Sequence, residues 1–207
     1  MQKTKGRTLK RLSVVILLLF STSLAAAQGS TVISGGLGIP QKPNDFSSYW
    51  KTGLSVGAGV EVPVSDWFGL TVGFDLTSFS LNEEKFLEAQ GVAGTGVRVS
   101  GGSATIMSVL GGAKVRVAHV PKRVSAYVVG LLGYLNFSTK EFEVSGDGLF
   151  GTLAGGERSS FCVAGGAGVE MPIAKIADVF VEGRYVVDFS ANRTAFIPIR
   201  AGFKIRL

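Results

Sequence analysis

The chain has 207 residues, with 21 Lys and Arg against 15 Asp and Glu. Five of the cations, Lys3, Lys5, Arg7, Lys10 and Arg11, crowd the first eleven residues, so the remainder stands at 16 against 15 and the basic balance is no argument for a nucleic-acid partner. A single cysteine, Cys162, excludes an intrachain disulfide, and with His119 as the one histidine it excludes metal sites built on paired His or Cys ligands.

The N-terminus reads as an export signal. Its cationic stretch is followed by the apolar run Leu12-Ser-Val-Val-Ile-Leu-Leu-Leu-Phe20 and by the small residues Ala25, Ala26 and Ala27. The apolar stretch is shorter than the ~20 residues a helical membrane span needs. Cleavage is expected between Ala27 and Gln28. Position 28 is not Cys, so the segment does not read as a lipoprotein signal. One domain, residues 28–207, remains. No later run approaches 18 uninterrupted apolar residues, which excludes further helical spans.

In this domain the dominant period is two. Leu54, Val56, Ala58, Val60 and Val62 alternate with Gly53, Ser55, Gly57, Gly59 and Glu61, and Phe68, Leu70, Val72, Phe74 and Leu76 alternate with Gly69, Thr71, Gly73, Asp75 and Thr77. Such alternation is a strand with one apolar face. Eight strands are expected, at about 31–39, 51–63, 67–81, 102–118, 124–138, 159–172, 178–190 and 195–207. The connections at 64–66, 119–123 and 173–177 are short. Those at 40–50, 82–101 and 139–158 are long, and 191–194 is an unusually short fourth. Short turns at one end and long loops at the other are the asymmetry of a transmembrane barrel.

The polar face selects a membrane barrel over a soluble one. It reads as mostly Gly, Ser and Thr, with charges of both signs: Glu61, Asp75, Lys114, Arg116, Glu170, Glu182, Arg184, Asp188, Arg200, Lys204 and Arg206. Six cations and five anions suit a narrow lumen, where they can neutralise one another. Removing one, such as Arg184, is expected to lower stability and raise leak together. The opposite face carries no charge in any expected strand, as a lipid-facing surface requires. Tyr49 and Trp50 at one end, and Trp67 and Phe68 at the other, read as interfacial girdles.

Two further patterns complete the picture. Gly57-Ala-Gly-Val-Glu-Val-Pro63 returns as Gly166-Ala-Gly-Val-Glu-Met-Pro172, with a looser copy, Gly112-Ala-Lys-Val-Arg-Val-Ala118, between them, each ending a strand at a short turn. The last segment alternates Ile197, Ile199, Ala201, Phe203, Ile205 and Leu207 with Pro198, Arg200, Gly202, Lys204 and Arg206. On these strand ends and this terminal strand, the chain resembles the small outer-membrane β-barrel proteins of the OmpX-like, OmpA-barrel and opacity types. The resemblance implies an eight-stranded antiparallel transmembrane barrel in the bacterial outer membrane, in contact with its lipid. It also implies recognition of the terminal strand by the barrel-assembly machinery, an extracellular partner for the loops, and no cofactor. Two departures stand out: Leu207 replaces the family's usual terminal Phe, and no peptidoglycan-binding domain is expected to follow the barrel.

No residue pattern makes an active site. His119 sits in a short turn expected at the periplasmic end, without a catalytic partner. Cys162 falls on the inward face, as a small buried residue. Glu83, Glu84, Glu141 and Glu143 read as a solvated outer rim, and the Gly-rich pieces 91–96 and 146–156 as flexible loop without the Lys-Ser/Thr of a phosphate loop. The reading favours a non-enzymatic barrel with a filled lumen and a structural or surface-interaction role. A small-solute channel and a lipid A-modifying barrel enzyme stay open beside it.

Overall fold

Alternating apolar and small or polar residues can satisfy their backbone groups in a membrane only if the strands close on themselves, since an open sheet edge would leave donors and acceptors in hydrocarbon. The computed structural model describes residues 29–41, 46–93, 96–119, 124–146, 149–191 and 193–207. The expected signal peptide and its Ala27/Gln28 cleavage site lie outside the described residues, as does the side chain of His119.

Eight strands form the closed wall: β1 (Ser30–Gln41), β2 (Gly53–Pro63), β3 (Phe68–Ser80), β5 (Ser103–His119), β6 (Ser125–Thr139), β9 (Glu157–Ala174), β10 (Ala177–Asp188) and β11 (Ala195–Arg206). Their order round the barrel is β1-β11-β10-β9-β6-β5-β3-β2, every pair antiparallel, with β2 returning to β1. Closure joins the two ends of the chain: Leu37 of β1 lies opposite both Leu54 of β2 and Ile199 of β11. All eight strand boundaries fall within two residues of those expected from the alternation.

The side chains follow the same parity. Leu54, Val56, Leu70, Val72, Leu132, Val181 and Phe203 are exposed on the outside, while Glu61, Lys114, Glu170, Glu182, Arg184, Arg200 and Lys204 are buried inside. Inward glycines make room for the larger lumen groups. A Cβ on Gly168 would stand 2.6 Å from the Tyr127 ring, and one on Gly202 would meet the Phe180 ring at 2.9 Å.

The long connections carry structure of their own, and the piece 146–156, expected as flexible loop, supplies the strand Leu149–Leu153. They hold a one-turn helix (Phe46–Tyr49), a two-turn helix (Glu83–Ala89) and a separate three-stranded sheet, ordered β4 (Arg98–Gly101), β7 (Phe142–Gly146) and β8 (Leu149–Leu153). Glu83 and Glu84 favour the positive N-terminal end of their helix. Gly91, at φ +70°, then lets the chain turn away, with Gly91 N–H donating to Glu88 and Val92 N–H to Leu87. Local periodicity gave no sign of the small sheet, because β4 pairs with β7 from a loop more than forty residues away.

Candidate functional site

The lumen is built in two zones. In the periplasmic half, the three repeat copies deliver Glu61, Arg116 and Glu170 to one cluster. Lys114 Nζ lies 2.8 Å from Glu61 and 2.6 Å from Glu170, while Lys204 Nζ lies 2.8 Å from Glu170 and 3.3 Å from Glu61. Arg116 donates from Nε to Glu170 at 3.0 Å and from a terminal nitrogen to the Asp66 carbonyl at 2.9 Å. Arg206 reaches Asp178 at 2.6 Å. One level further out, Arg200 bridges Asp75 at 2.8 Å and Glu182 at 2.9 Å, and Arg184 also bonds Glu182. The gap left among these groups is about 20 Å³, room for about one water.

The outer half of the lumen is largely apolar, with Ser55, Thr77 and Ser108 buried among the hydrocarbon. Phe79, Ile106, Leu110, Leu131, Leu135, Val186 and Phe196 point inward and are buried. Phe46, from the short helix in the β1–β2 connection, drops onto them with ring centroids 5.3 Å from Phe79 and 5.9 Å from Phe137. This corrects the sequence reading of an inner face made mostly of small residues. The parity that puts Lys114 inside also puts Leu110 and Ile106 inside, so the signal was present in the strand that supplied the cations. The Lys114 ammonium also lies 3.9 Å from the centre of the Tyr127 ring.

Asp188 stands apart from the other expected lumen charges. Fully buried at the outer mouth, it accepts from Ser160 at 2.9 Å, Ser190 at 3.0 Å and the Thr194 N–H at 2.7 Å, with Arg158 at 3.7 Å. It organises the short β10–β11 connection and takes no part in the deeper network. Two members of the charge system are absent from the expected set. Asp178 shares the inward parity of Glu182 and Arg184 and was legible on that basis. Arg158 lies one residue before the expected start of its strand.

Above the barrel, the β1–β2, β3–β5 and β6–β9 connections knit into one cap. Tyr49, Phe86 and Phe142 meet ring to ring at 5.8 and 5.3 Å, Val99 and Leu81 are buried near them, and Asn82 N–H donates to the Tyr49 carbonyl at 2.7 Å. Tyr49 and Trp50 therefore belong to this cap and its floor and do not form a membrane girdle, because the Phe46–Tyr49 helix and the Trp50–Leu81 bridge turn them over the mouth. The exposed aromatics near the outer end are Tyr134, Phe161 and Phe189, in ring contact at 6.3 and 6.0 Å. Trp67 and Phe68 do lie at the periplasmic end, with Trp67 exposed. Glu83, Glu84, Glu141 and Glu143 are exposed, and Cys162 is fully buried on the inward face.

A family model described as an outer membrane protein beta-barrel domain matches residues 12–201. Among solved structures, Neisserial surface protein A (NspA) superposes with a TM-score of 0.57 at 12% identity, over 87% of this chain and 98% of that one. Ail, the attachment invasion locus protein of Yersinia pestis, superposes with a TM-score of 0.50 at 18% identity, over 86% and 99%. No curated protein sequence matches. At such identities the structural likeness is one of fold. Fold and matched family together are those of the bacterial outer membrane, where the outer face, uncharged below Glu157 at its outer rim, meets lipid.

Proposed function

We propose, from the premise that this chain belongs to the outer membrane protein beta-barrel family, that its barrel is a closed anchor and that its working surface is the cap of extracellular loops. The observation that carries this reading is the contrast between a sealed lumen and an ordered cap with a core of its own. A barrel used for passage needs an open path, whereas eight strands leave room only for side chains. A barrel used for contact needs loops held in one shape, so that little ordering entropy is lost on binding. Attachment, the property in the name of the Yersinia barrel, is the activity such a cap would serve. Catalysis is not part of this reading, since the lumen charges are spent on one another and the rim carboxylates are solvated.

Two further parts of the proposal concern biogenesis. Residues 1–27 act as a cleaved signal, so N-terminal sequencing of the outer-membrane protein should begin at Gln28. The amphipathic strand β11, apolar at Ile199, Ala201 and Phe203 on one side, is the segment presented to the barrel-assembly machinery.

The decisive experiment replaces residues 142–153 with a short Gly-Ser turn in a strain that carries the barrel on its surface. Adhesion to epithelial monolayers should fall to the level of a strain lacking the protein, while the purified variant keeps its heat-dependent gel mobility and stays electrically silent in planar bilayers. Large, steady, ohmic currents from the unaltered protein would promote the channel reading. Unchanged adhesion with an intact barrel would remove the cap from its role.

A further inference from the structure

The lipid-facing wall is not uniformly convex. Across the periplasmic half of β9, β10 and β11 it holds an apolar groove of about 470 Å³, lined by Val124, Val169, Met171, Val181, Ala201 and Phe203. Its shape follows from the sequence. Val181 lies opposite Val169 on one side and Ala201 on the other, and Ala201 is in turn opposite Gly35, so the floor is low on the β11 side. Met171 and Phe203 flank Val179 one register nearer the periplasm and raise the walls.

Beyond those walls come the pair Ala177 and Ile205 and then the β9–β10 turn at Lys175 and Ile176. One unpaired cation stands on that turn. Lys175 is exposed and has no ion pair among the described residues. Arg206, on the lumen side, donates to the Lys175 carbonyl at 3.2 Å and pairs with Asp178 at 2.6 Å, which holds the turn in place. From Val179 to Lys175 is four residues, on the order of 10 Å along a tilted strand. A lysine stem extends along apolar surface while its ammonium stays at the interface.

We infer that this groove and turn form a binding site for an anionic phospholipid of the periplasmic leaflet, with an acyl chain in the groove and the headgroup phosphate at Lys175. Charge complementarity selects this occupant. A second barrel would have to bring an acidic patch to the same turn, and the outer wall of this chain carries no charge along its strands at that depth.

The test is native mass spectrometry of the mature protein in detergent, offered equal amounts of phosphatidylglycerol and phosphatidylcholine with identical acyl chains. The unaltered protein should retain phosphatidylglycerol in preference, by about fivefold for one effective interfacial cation. Lys175→Gln, in an exposed turn that cannot unfold the barrel, should remove most of that preference and leave phosphatidylcholine retention unchanged. Ala201→Phe, which fills the floor from the lipid side, should lower retention of both lipids. Equal retention of the two lipids by the unaltered protein would overturn the inference, as would a preference that survives both variants. A dimer signal in place of lipid adducts, lost on Ala201→Phe, would reassign the groove to a second copy of the chain.

Discussion

The two halves of the lumen are filled by opposite means. Near the periplasm, Glu61, Glu170, Lys114 and Lys204 fill the space with charge and neutralise it pair by pair. Near the outer mouth, Phe79, Leu135 and Phe196 fill it with hydrocarbon, topped by Phe46. The two fillings fail differently. A buried ion cluster loses one partner and keeps a stranded charge, which is expensive. An apolar zone loses a side chain and keeps a cavity, which costs less when neighbours relax. In the proposed closed anchor, the charged half would specify which strands face one another and the apolar half would make the seal.

The largest effect should come from Glu170→Ala, which strips Lys114, Lys204 and Arg116 of a shared partner at once. A loss of about 3–5 kcal/mol is expected in urea unfolding from lipid vesicles. A loss below about 1 kcal/mol would mean that water already compensates these ions.

Leu135→Ala, in the apolar zone, should cost about 2–5 kcal/mol by the same assay and, unlike Glu170→Ala, should admit small transient currents in planar bilayers. The contrast sharpens with Arg184→Ala. The sequence alone suggests that losing this cation raises leak. The hydrocarbon layer above it leads instead to lower stability with no added current, and a rise in current would show that the ion tiers carry the seal.

On the outer wall, Val181→Arg should cost about 2–4 kcal/mol or block assembly, as a cation in hydrocarbon. Thr71→Arg, on the inward side of β3, should be less damaging to membrane insertion, and the reverse order would exchange the two faces. The smallest effect belongs to the outer rim. Asn136 bonds Glu157 at 2.9 Å and Ser159 at 3.0 Å, but in an exposed position. Asn136→Leu should change stability by no more than about 0.5 kcal/mol, although the same kind of contact is worth several times more in the lumen.

How much of this was legible follows from the range over which each signal acts. Alternation is local, so β2 and β3 could be read residue by residue, and the inward placement of Glu61 and Asp75 came with them. The same parity, carried along β5 from Lys114 to Leu110 and Ile106, already encoded the apolar zone, and along β10 it encoded Asp178. The loop cap was not legible. Its strands β4 and β7 are only four and five residues long and acquire their pairing from each other, more than forty positions apart, and Tyr49 gains its place from Phe86, not from its neighbours. Which ions meet was beyond the sequence too, because Glu61 and Lys204 are 143 positions apart.

That separation has a consequence for how the molecule comes into being. Lys204 sits on the last strand and Glu61 on the second, and Arg200 likewise reaches Asp75 across 125 positions. A growing sheet that lacks its final hairpin holds Glu61 and Asp75 without those cations, while the edge of β1 has no neighbour for its backbone groups. Both deficits vanish in the same event, when β11 docks on β1. Nothing short of the finished ring has its ion contacts and its backbone hydrogen bonds complete at once, so partial sheets are poor residents of the bilayer. Assembly should accordingly be all-or-none in vesicles, with the chain either unfolded or complete and no stable intermediate between them.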